Sequence, residues 1–434
     1  MNSRTSYADY DVCVVGLGYV GITLTSALLA RGKRVLGYEA NKAVAEDLAA
    51  GLVQLSEPGV EEMVREHAGG NLRVTAELTG EQLPPTVIIC VGTPIAAGEQ
   101  RPDLTQLEAA VAGIAPGLRD DTLVIVRSTV PVGTSRGLVL PTLRRHVDEP
   151  LLAFCPERTI QGQALAEILS LPQIVGGLDE ESVRRASELF GSLTPDLVPV
   201  SSLETAEMIK LICNCHTDLI YGFGNEVALV AEHLGLDAME LINSANTGYP
   251  RPDLSKPGFV GGSCLTKDPY LLMHALEGHD HRPTMVAAAR SLNESMPRRV
   301  GERVLAKLWE GGCDPAGARV LLTGFAYKGR PETDDLRGAP FEALLELLRG
   351  RVGEIVGHDF VVPDSRLEEL GVRPVSLEEG FTGAHAALVL NDHLSYGQQD
   401  FTSLIARMHQ PAVVYDTWRV IPSSLPNVMR LGHA

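Results

Sequence analysis

A candidate nucleophile of this sequence lies in the segment GGSCLTKD, which spans positions 261 to 268. Cys264 follows a pair of glycines, and Asp268 stands about one helical turn beyond it. A thiolate is a good nucleophile near neutral pH, and glycines beside it let a bound molecule approach the backbone closely. The chemistry open to Cys264 therefore depends on what the rest of the chain brings to it.

The composition is that of a globular protein with more than one domain. The chain has 434 residues, 44% hydrophobic and 21% charged, so two or three domains are expected. Its net charge of −18 disfavours a nucleic-acid or anionic-membrane partner, because phosphate groups repel an acidic surface. Seven cysteines, an odd number, predict reduced thiols in a cytoplasmic protein. Cys213 and Cys215 have no second pair at zinc-site spacing, so no metal is expected.

The most apolar stretch, residues 12–30, joins a short β-branched run to the glycine pattern GLGYVG. Its length could span a bilayer, but three glycines interrupt it and no basic segment or cleavage site precedes it. A buried strand feeding a buried helix fits better. A second strand, residues 34–39, ends in a carboxylate. This succession of strand, turn, helix, strand and acid predicts a dinucleotide site.

In such a site each glycine has its own physical role. The first makes the tight turn, the second lets the backbone approach a pyrophosphate, and the third lets the helix pack on the strand. Glu39 would accept hydrogen bonds from the adenosine ribose and repel a 2′-phosphate, so NAD is expected in preference to NADP. The cofactor-binding residues predicted from the turn itself are Gly16, Gly18, Tyr19, Val20 and Gly21.

Further apolar runs extend the same sheet. Residues 86–94 and 122–135 stop at Gly, Thr and Pro, as buried parallel strands do, and residues 151–162 repeat the pattern. Ligands bind at the carboxyl ends of such strands. Thr93 and Thr129 are therefore candidates for lining the dinucleotide site, with ordinary loop and helix-cap threonines as the alternative.

The middle of the chain predicts one long buried helix, because residues 204–236 lack proline and carry apolar side chains at helical spacing. Lys210 and Asn214 share one face of it, either as a solvated polar stripe or as part of a site. Residues 318–434 then alternate strands with helices but have no GxGxxG pattern. A second doubly wound domain with a different ligand is the natural inference.

Taken together, these motifs resemble the UDP-glucose/GDP-mannose dehydrogenase family of nucleotide-sugar 6-dehydrogenases. The matching segments run nearly end to end, in the order VVGLGYVG, VGTP, STVPVGTS, CPER, AEMIKLICN, NEVAL, PR, GGSCLTKDP and FAYKGRPETDDLRG. The resemblance implies two Rossmann-like α/β domains joined by a central long helix that forms a homodimer. It places an NAD domain at 1–200, a helical dimerisation domain at 201–300 and a nucleotide-sugar domain at 301–434.

Members of this family oxidise the C6 hydroxymethyl group of a nucleotide sugar to a carboxylate with two NAD. The second hydride cannot leave an aldehyde until a nucleophile has made its carbon tetrahedral, so the resemblance implies a thiohemiacetal and then a thioester on Cys264. Lys210 and Asn214 match the pair that stabilises the oxyanion, and Asp268 the aspartate that organises water and proton transfer. The implied catalytic residues are Cys264, Lys210, Asn214, Asp268, Thr129 and Glu157.

The same resemblance assigns ligand contacts. Lys267 and Arg337 fall on cofactor contacts, and Arg251 on one that reaches across a dimer interface. The implied substrate-binding residues are Glu157, Arg158, Gln161, Lys210, Asn214, Arg251, Gly261 and Lys328.

Two departures from the family pattern bear on the sugar. UDP-glucose members commonly carry a second glutamate four residues after the first, where this chain has Gln161, which favours a UDP-N-acetylhexosamine with a ManNAc or GlcNAc sugar. The serine in GGSC, at position 263, points instead to UDP-glucose or TDP-glucose, because N-acetylhexosamine members commonly have GGHC.

Two other functions are compatible with parts of this sequence. A two-electron 3-hydroxyacid-type dehydrogenase shares an NAD domain and a helix-borne lysine and asparagine, but it needs neither the cysteine nor the second α/β block. A noncatalytic nucleotide-sugar or NAD sensor would be expected to lack one of Cys264, Lys210 or Asp268, yet all three are present. The four-electron dehydrogenase is therefore favoured.

Overall fold

A computed structural model describes residues 6–96, 99–250, 253–425 and 428–433. The chain divides into two compact units, each built on one sheet. The first comprises residues 1–213 and 270–282, and the second comprises residues 214–269 and 283–434.

The first unit contains an eight-stranded sheet with the order β3-β2-β1-β4-β5-β6-β7-β8. Neighbouring strands are parallel except β6 and β7, which are antiparallel. The order reverses direction between β1 and β4, where ligands bind in sheets of this kind. The strands are β1 (Val12–Val15), β2 (Val35–Tyr38), β3 (Leu72–Thr75), β4 (Thr86–Ile89), β5 (Leu123–Val126), β6 (Leu151–Phe154), β7 (Gln173–Gly177) and β8 (Leu197–Val200).

Helices cover both faces of this sheet, and its central strands are therefore buried and apolar. Val12 and Val14 pack into one core, whereas Cys13 and Val15 pack into the other, as the period of two in a strand requires. The helices of this part of the chain are α1 (Tyr19–Ala30), α2 (Lys42–Ala49), α3 (Val60–His67), α4 (Thr105–Ile114), α5 (Leu140–Leu143), α6 (Ala164–Ile168) and α7 (Glu180–Gly191).

The second unit contains a parallel six-stranded sheet with the order β11-β10-β9-β12-β13-β14. The strands are β9 (Arg319–Thr323), β10 (Glu354–His358), β11 (Arg373–Pro374), β12 (Ala386–Val389), β13 (Val413–Asp416) and β14 (Val428–Arg430). The remaining helices are α8 (Leu203–Leu234), α9 (Ala238–Asn246), α10 (Asp268–His274), α11 (Thr284–Glu310), α12 (Phe341–Leu348), α13 (Asp364–Glu369), α14 (Leu377–Phe381) and α15 (Phe401–Ala406). The two doubly wound sheets and the long helix α8 confirm the predicted fold class.

Both sheets make the same turn after their first strand. Gly16 follows β1 with φ +85° and donates its N–H to the Tyr38 carbonyl at 2.8 Å. Gly324 follows β9 with φ +89° and donates to the His358 carbonyl at 2.9 Å. The helices after the turns differ, because α1 starts at once, whereas α12 begins only at Phe341.

Helix α8 is less buried than its sequence pattern predicts. Met208, Ile212 and Val230 fit the apolar spacing, yet they are 37%, 45% and 49% exposed in the single chain. Phe223 and Leu234 are exposed as well. The prediction of a buried helix was therefore wrong for these positions, because a 32-residue helix has more apolar surface than its neighbours in one chain cover.

Candidate active site

The glycine turn after β1 has the geometry that a dinucleotide requires. A Cβ on Gly21 would lie 1.8 Å from the Gly16 carbonyl oxygen, so only glycine lets α1 pack this close to the turn. A Cβ on Gly18 would meet no atom within 4 Å, which leaves open space beside the backbone. Because α1 begins at Tyr19, its N-terminal N–H groups and dipole favour a phosphate in that space.

Glu39, at the end of β2, braces the same turn. Its Oε2 accepts the Leu17 N–H at 2.9 Å and its Oε1 accepts the Asn41 N–H at 2.9 Å. A carboxylate has about four acceptor positions, so the half-buried group keeps capacity for two ribose hydroxyls. The turn and the acid together fit an adenosine diphosphate ribose, as the sequence predicted.

Tyr19 connects this turn to the loop after β6. Its hydroxyl donates to the carboxylate of the buried Glu57, which also accepts the N–H groups of Gly162 and Ala164 at 2.6 and 2.7 Å. Burial and Glu57 raise the pKa of Tyr19, which therefore stays a neutral donor. Sequence reasoning missed Glu57, whose only signal is an acid in the turn-like segment SEPG.

The loops after β4 and β5 meet through the predicted threonines. Thr93 is buried and its hydroxyl donates to the Thr129 carbonyl, so the structure brings this pair together. The fully buried Glu207 of α8 then accepts the N–H groups of Gly133 and Ser135 at 2.6 and 2.8 Å. Glu207 thereby fixes the loop that carries Thr129.

Glu157 is a buried carboxylate with a strong counter-ion. Its Oε1 accepts the N–H groups of Arg158 and Thr159, both at 2.7 Å, and its Oε2 accepts a hydrogen bond from the equally buried Arg127. Burial alone would raise the pKa of Glu157, but Arg127, the Thr159 N–H and Lys210 lower it below its ordinary value. Glu157 is therefore ionised at neutral pH, and the buried Lys210 lies close enough to influence it.

Arg158 and Gln161 lie in the same loop. The Arg158 guanidinium donates to the Pro172 carbonyl, so this side chain braces the loop. Gln161 is half-buried, four residues beyond Glu157.

In the second unit, Cys264 lies in a tight turn and is exposed. Gly262 adopts φ +91°, a conformation that favours glycine, just before it. The Cys264 carbonyl accepts the N–H groups of Lys267 and Asp268 at 3.2 and 2.9 Å. The turn therefore leads directly into α10 and presents the thiol to solvent.

Asp268 is fully buried and gathers two of the predicted residues. Its Oδ1 lies 2.6 Å from the Lys267 ammonium, and its Oδ2 accepts a hydrogen bond from the Asn214 amide. Lys267, predicted as a cofactor contact, is thus an ion-pair partner of Asp268. Asn214 and Lys210 lie four residues apart on α8, as predicted.

The segment after β9 lies beside the Cys264 turn. The Gly262 N–H donates to the Gly338 carbonyl at 3.2 Å, and a Cβ on Gly261 would lie 2.6 Å from that oxygen. Burial, and then the charges of Cys264 and Asp335, raise the pKa of Tyr327.

Two predicted basic residues belong to this segment. Arg337 is exposed and pairs with Asp335 at 2.7 Å. Hydrogen bonding to Asp335 raises the pKa of Arg337, with a smaller contribution from Cys264. Lys328 places its ammonium 5.4 Å from the centre of the Tyr327 ring. Arg251 lies outside the described residues.

Comparison with known proteins bears on the whole chain. The NAD-binding domain of the UDP-glucose/GDP-mannose dehydrogenase family matches residues 10–194, its central domain matches residues 204–295, and its UDP-binding domain matches residues 321–423. Within the described part of the chain, no helix is long and apolar enough to cross a membrane.

Individual relatives agree with these matches. The UDP-N-acetyl-D-mannosamine dehydrogenase of Pyrococcus horikoshii is 31% identical over 411 residues, which cover 93% of this chain and 94% of that protein. A solved structure of UDP-D-ManNAc dehydrogenase from the same organism aligns with a TM-score of 0.88 at 30% identity, over 97% of this chain and 99% of that one. A UDP-glucose dehydrogenase from Pyrobaculum islandicum aligns with a TM-score of 0.81 at 26% identity, over 96% and 95% of the two chains. The chain therefore belongs to the UDP-glucose/GDP-mannose dehydrogenase family, as an oxidoreductase that uses NAD and acts on a nucleotide sugar.

Proposed function

We propose that this enzyme oxidises the C6 hydroxymethyl group of UDP-N-acetyl-D-mannosamine to a carboxylate, with Cys264 as the nucleophile. The observation that carries the proposal is the exposed Cys264 thiol in a turn that leads into the buried Asp268 carboxylate. The names of the relatives, and Gln161 in place of a second glutamate, support this sugar. Residues 1–200 are proposed to bind NAD and residues 301–434 to bind the nucleotide sugar, and residues 201–300 are proposed to mediate dimerisation.

The first step converts the primary alcohol to an aldehyde. The C6 hydroxyl loses its proton, and C6 loses a hydride. NAD, when bound, accepts the hydride in each of the two oxidations. Asp268 is the proposed route for the proton through water, because the Asn214 amide and the Lys267 ammonium fix the orientation of its carboxylate.

The second step needs Cys264. Its thiolate adds to the aldehyde carbon and forms a thiohemiacetal, from which a second hydride leaves to give a thioester. Water then cleaves the thioester, releasing the carboxylate and the thiol. One alcohol, one water and two NAD thus give one carboxylate, two NADH and three protons.

The first unit supplies the other proposed groups. Lys210 is a buried cation, and we assign it the stabilisation of the oxyanion that forms on the sugar. Glu157, held ionised by Arg127, is proposed to orient water and substrate together with Thr129. Arg158, Gln161, Gly261, Lys328 and Arg251 stay proposed substrate contacts, and Lys267 and Arg337 proposed cofactor contacts.

The NADH yield per sugar tests this function. The purified enzyme is incubated separately with UDP-N-acetyl-D-mannosamine, UDP-N-acetylglucosamine, UDP-glucose and TDP-glucose, and NADH is measured at completion. Two NADH from the first sugar alone are expected. Two NADH from UDP-glucose instead would reject the proposed sugar and keep the chemistry, whereas one NADH per sugar would reject the role of Cys264.

The variant Cys264→Ser separates the two steps. It should stall after the first hydride, because a serine hydroxyl is a poor nucleophile without an activating base. If the hydroxyl does add to the aldehyde, a covalent adduct should accumulate in place of turnover. Cys213→Ser is the matched control, since Cys213 is the other exposed cysteine. Full turnover by Cys264→Ser would contradict the mechanism.

We also propose a cytoplasmic homodimer formed through α8. Two of the exposed apolar residues of this helix, Val230 and Leu234, line a groove of about 420 Å³ between α8 and α11. Its walls are Leu229, Val230, Leu234 and Leu292, with Glu226, His233 and Arg299 at polar positions. An apolar surface of this kind is typical of a protein interface.

Sedimentation velocity tests the dimer. Phe223→Asp should shift the protein toward monomer, because it places a charge in the apolar surface of α8. Leu52→Asp is the control, since Leu52 is equally exposed but lies in the first unit. A Phe223→Asp protein that sediments as the wild type does would exclude this surface as the interface.

A further inference from the structure

The second unit contains a buried chain of four polar side chains between α8 and α11. Asp218, Asn225, Arg290 and Asn293 are each at most 1% exposed. Arginine and aspartate are almost never fully buried unless they are paired, and buried polar groups cost free energy unless they are hydrogen-bonded. Packing alone therefore does not explain why these four polar side chains are buried together.

Arg290 is bonded to the backbone of the Cys264 turn. Its Nη1 donates to Asp218 Oδ1 at 2.7 Å and to the Leu265 carbonyl at 2.8 Å. Leu265 is the residue directly after Cys264. One guanidinium nitrogen of α11 thus fixes the peptide unit next to the thiol, and Asp218 of α8 fixes the guanidinium.

The sequence explains why this carbonyl needs a side-chain donor. The Cys264 carbonyl accepts the Asp268 N–H at 2.9 Å, the spacing of a helical turn. The next bond in that series would join the Leu265 carbonyl to the N–H of residue 269, but residue 269 is proline and has no N–H. Arg290 supplies the donor that Pro269 lacks.

The other end of the loop that carries Cys264 is bonded to the same group of four buried side chains. Asn225 accepts the Gly258 N–H and donates to Asn293 Oδ1, both at 2.9 Å. Asn293 then donates to Asp218 Oδ1 at 2.9 Å. Residues 258 and 265 are thus joined through buried side chains, so the loop between them is held at both ends.

We propose that Arg290 is a positioning residue that holds the Cys264 turn in its reactive conformation. Its effect on catalysis rests on the proposed function of Cys264, whereas its effect on the turn does not. Misplacement of a reacting group by about 1 Å can reduce turnover about a hundredfold. Loss of the Leu265 hydrogen bond is expected to permit a shift of that kind, without altering the first unit.

The variants separate positioning from folding. Arg290→Met alone leaves the Asp218 carboxylate buried without its cation, and burial already raises the pKa of Asp218. The double variant Arg290→Met/Asp218→Asn removes that charge, so it is expected to fold while the Leu265 carbonyl still lacks a donor. Arg303→Met is the matched control, since Arg303 of α11 also pairs with an α8 acid, Glu232, at 2.7 Å.

Two measurements read the turn and the chemistry separately. Amide hydrogen exchange of residues 264–268 should be about fivefold to tenfold faster in the double variant, the equivalent of one lost hydrogen bond. Its kcat should fall about tenfold to a hundredfold, and its KM for NAD should change less than its kcat, because the glycine turn and Glu39 of the first unit are unaltered. Arg303→Met should leave the amide exchange of residues 264–268 and the kcat within about twofold of the wild type.

Pro269→Ala supplies the decisive rescue. Added to the double variant, it restores a backbone N–H in line with the Leu265 carbonyl, so exchange and kcat should both return toward the wild type. Wild-type exchange and kcat in the double variant, or no rescue by Pro269→Ala, would overturn the proposal. If the wild type oxidises no nucleotide sugar, the proposed function fails, and the exchange measurements still decide whether Arg290 holds the turn.

Discussion

Substitution of Arg127 by methionine tests the electrostatics of the first unit most directly. The Arg127 and Glu157 side chains are 2% and 9% exposed, so solvent screens neither of them. Arg127 also donates to the Cys155 carbonyl and to Gln173 Oε1, both at 3.0 Å. Arg127→Met therefore removes the counter-ion of a buried carboxylate and leaves two acceptors without this donor.

The expected magnitude follows from that geometry. Removal of one partner of a buried ion pair costs about 3–5 kcal/mol, because the remaining charge stays in a poorly solvated site. Arg136→Met is the matched control in the same unit, since the Arg136 and Glu204 side chains are 48% and 31% exposed. An exposed pair of this kind contributes at most about 1 kcal/mol.

The pH dependence has a definite sign. In the wild type the pKa of Glu157 is lowered, so its stabilisation is present above the ordinary pKa of 4.5 and is lost as the pH falls through the folded value. Without Arg127, burial instead raises the pKa of Glu157. The loss of unfolding free energy caused by Arg127→Met should therefore be largest near pH 8 and smaller near pH 5. The difference should be about 1.4 kcal/mol for each unit of the rise in the pKa of Glu157 that falls between these two pH values.

Urea unfolding followed by two probes provides the assay. Trp309 and Trp418, the two tryptophans of the chain, both belong to the second unit, so their fluorescence reports that unit, whereas circular dichroism reports both. Arg127→Met should move the part of the circular-dichroism transition that comes from the first unit to a lower urea concentration. The tryptophan fluorescence transition, which reports the second unit, should stay where it is in the wild type. Equal losses for Arg127→Met and Arg136→Met, or a loss that does not depend on pH, would refute the reasoning.

Three further predictions concern the dinucleotide turn. Glu39→Gln should raise the KM for NAD about tenfold and narrow the preference over NADP, because hydrogen bonds to a charged group contribute about 1.5–3 kcal/mol; steady-state kinetics with both cofactors measure this, and equal wild-type activity with NADP would contradict the role of Glu39. Gly21→Ala should destabilise the first unit in thermal unfolding, since its Cβ would lie 1.8 Å from the Gly16 carbonyl oxygen. Gly18→Ala should leave the stability of the first unit unchanged, because its Cβ meets no atom within 4 Å, but it should weaken NAD binding in equilibrium titration. A stable Gly21→Ala protein together with a destabilised Gly18→Ala protein would reject the two glycine roles.

The sequence predicts the elements better than their partners. The strands at 12–15 and 34–39 and the helix at 204–236 agree with β1, β2 and α8 to within two residues at each end. Their signals are local, because a β-branched run or a helical apolar spacing lies within one segment. The division into three domains stays a prediction.

The supporting residues of the site could not be predicted in this way. Arg127 meets a carboxylate 30 positions away, and Glu57 meets N–H groups 105 and 107 positions away. No local pattern encodes such pairs. The roles of Cys264, Asp268 and Asn214 follow from the family resemblance and stay predictions. The sequence contains no sign that Lys267 pairs with Asp268.

The two similar turns lead to unequal sensitivity to salt. After β1, the fixed N-terminus of α1 directs partial positive charge at the dinucleotide phosphates. After β9, α12 begins only at Phe341, so a nucleotide-sugar diphosphate bound through the proposed contact Lys328 would depend on that half-exposed cation for its neutralisation. Salt screens the attraction between a half-exposed cation and a phosphate more strongly than the attraction between a phosphate and backbone N–H groups packed against it. Rising ionic strength should therefore weaken the binding of the nucleotide sugar more steeply than the binding of NAD. The fraction of enzyme that holds the nucleotide sugar would then depend on the salt concentration more than the fraction that holds NAD.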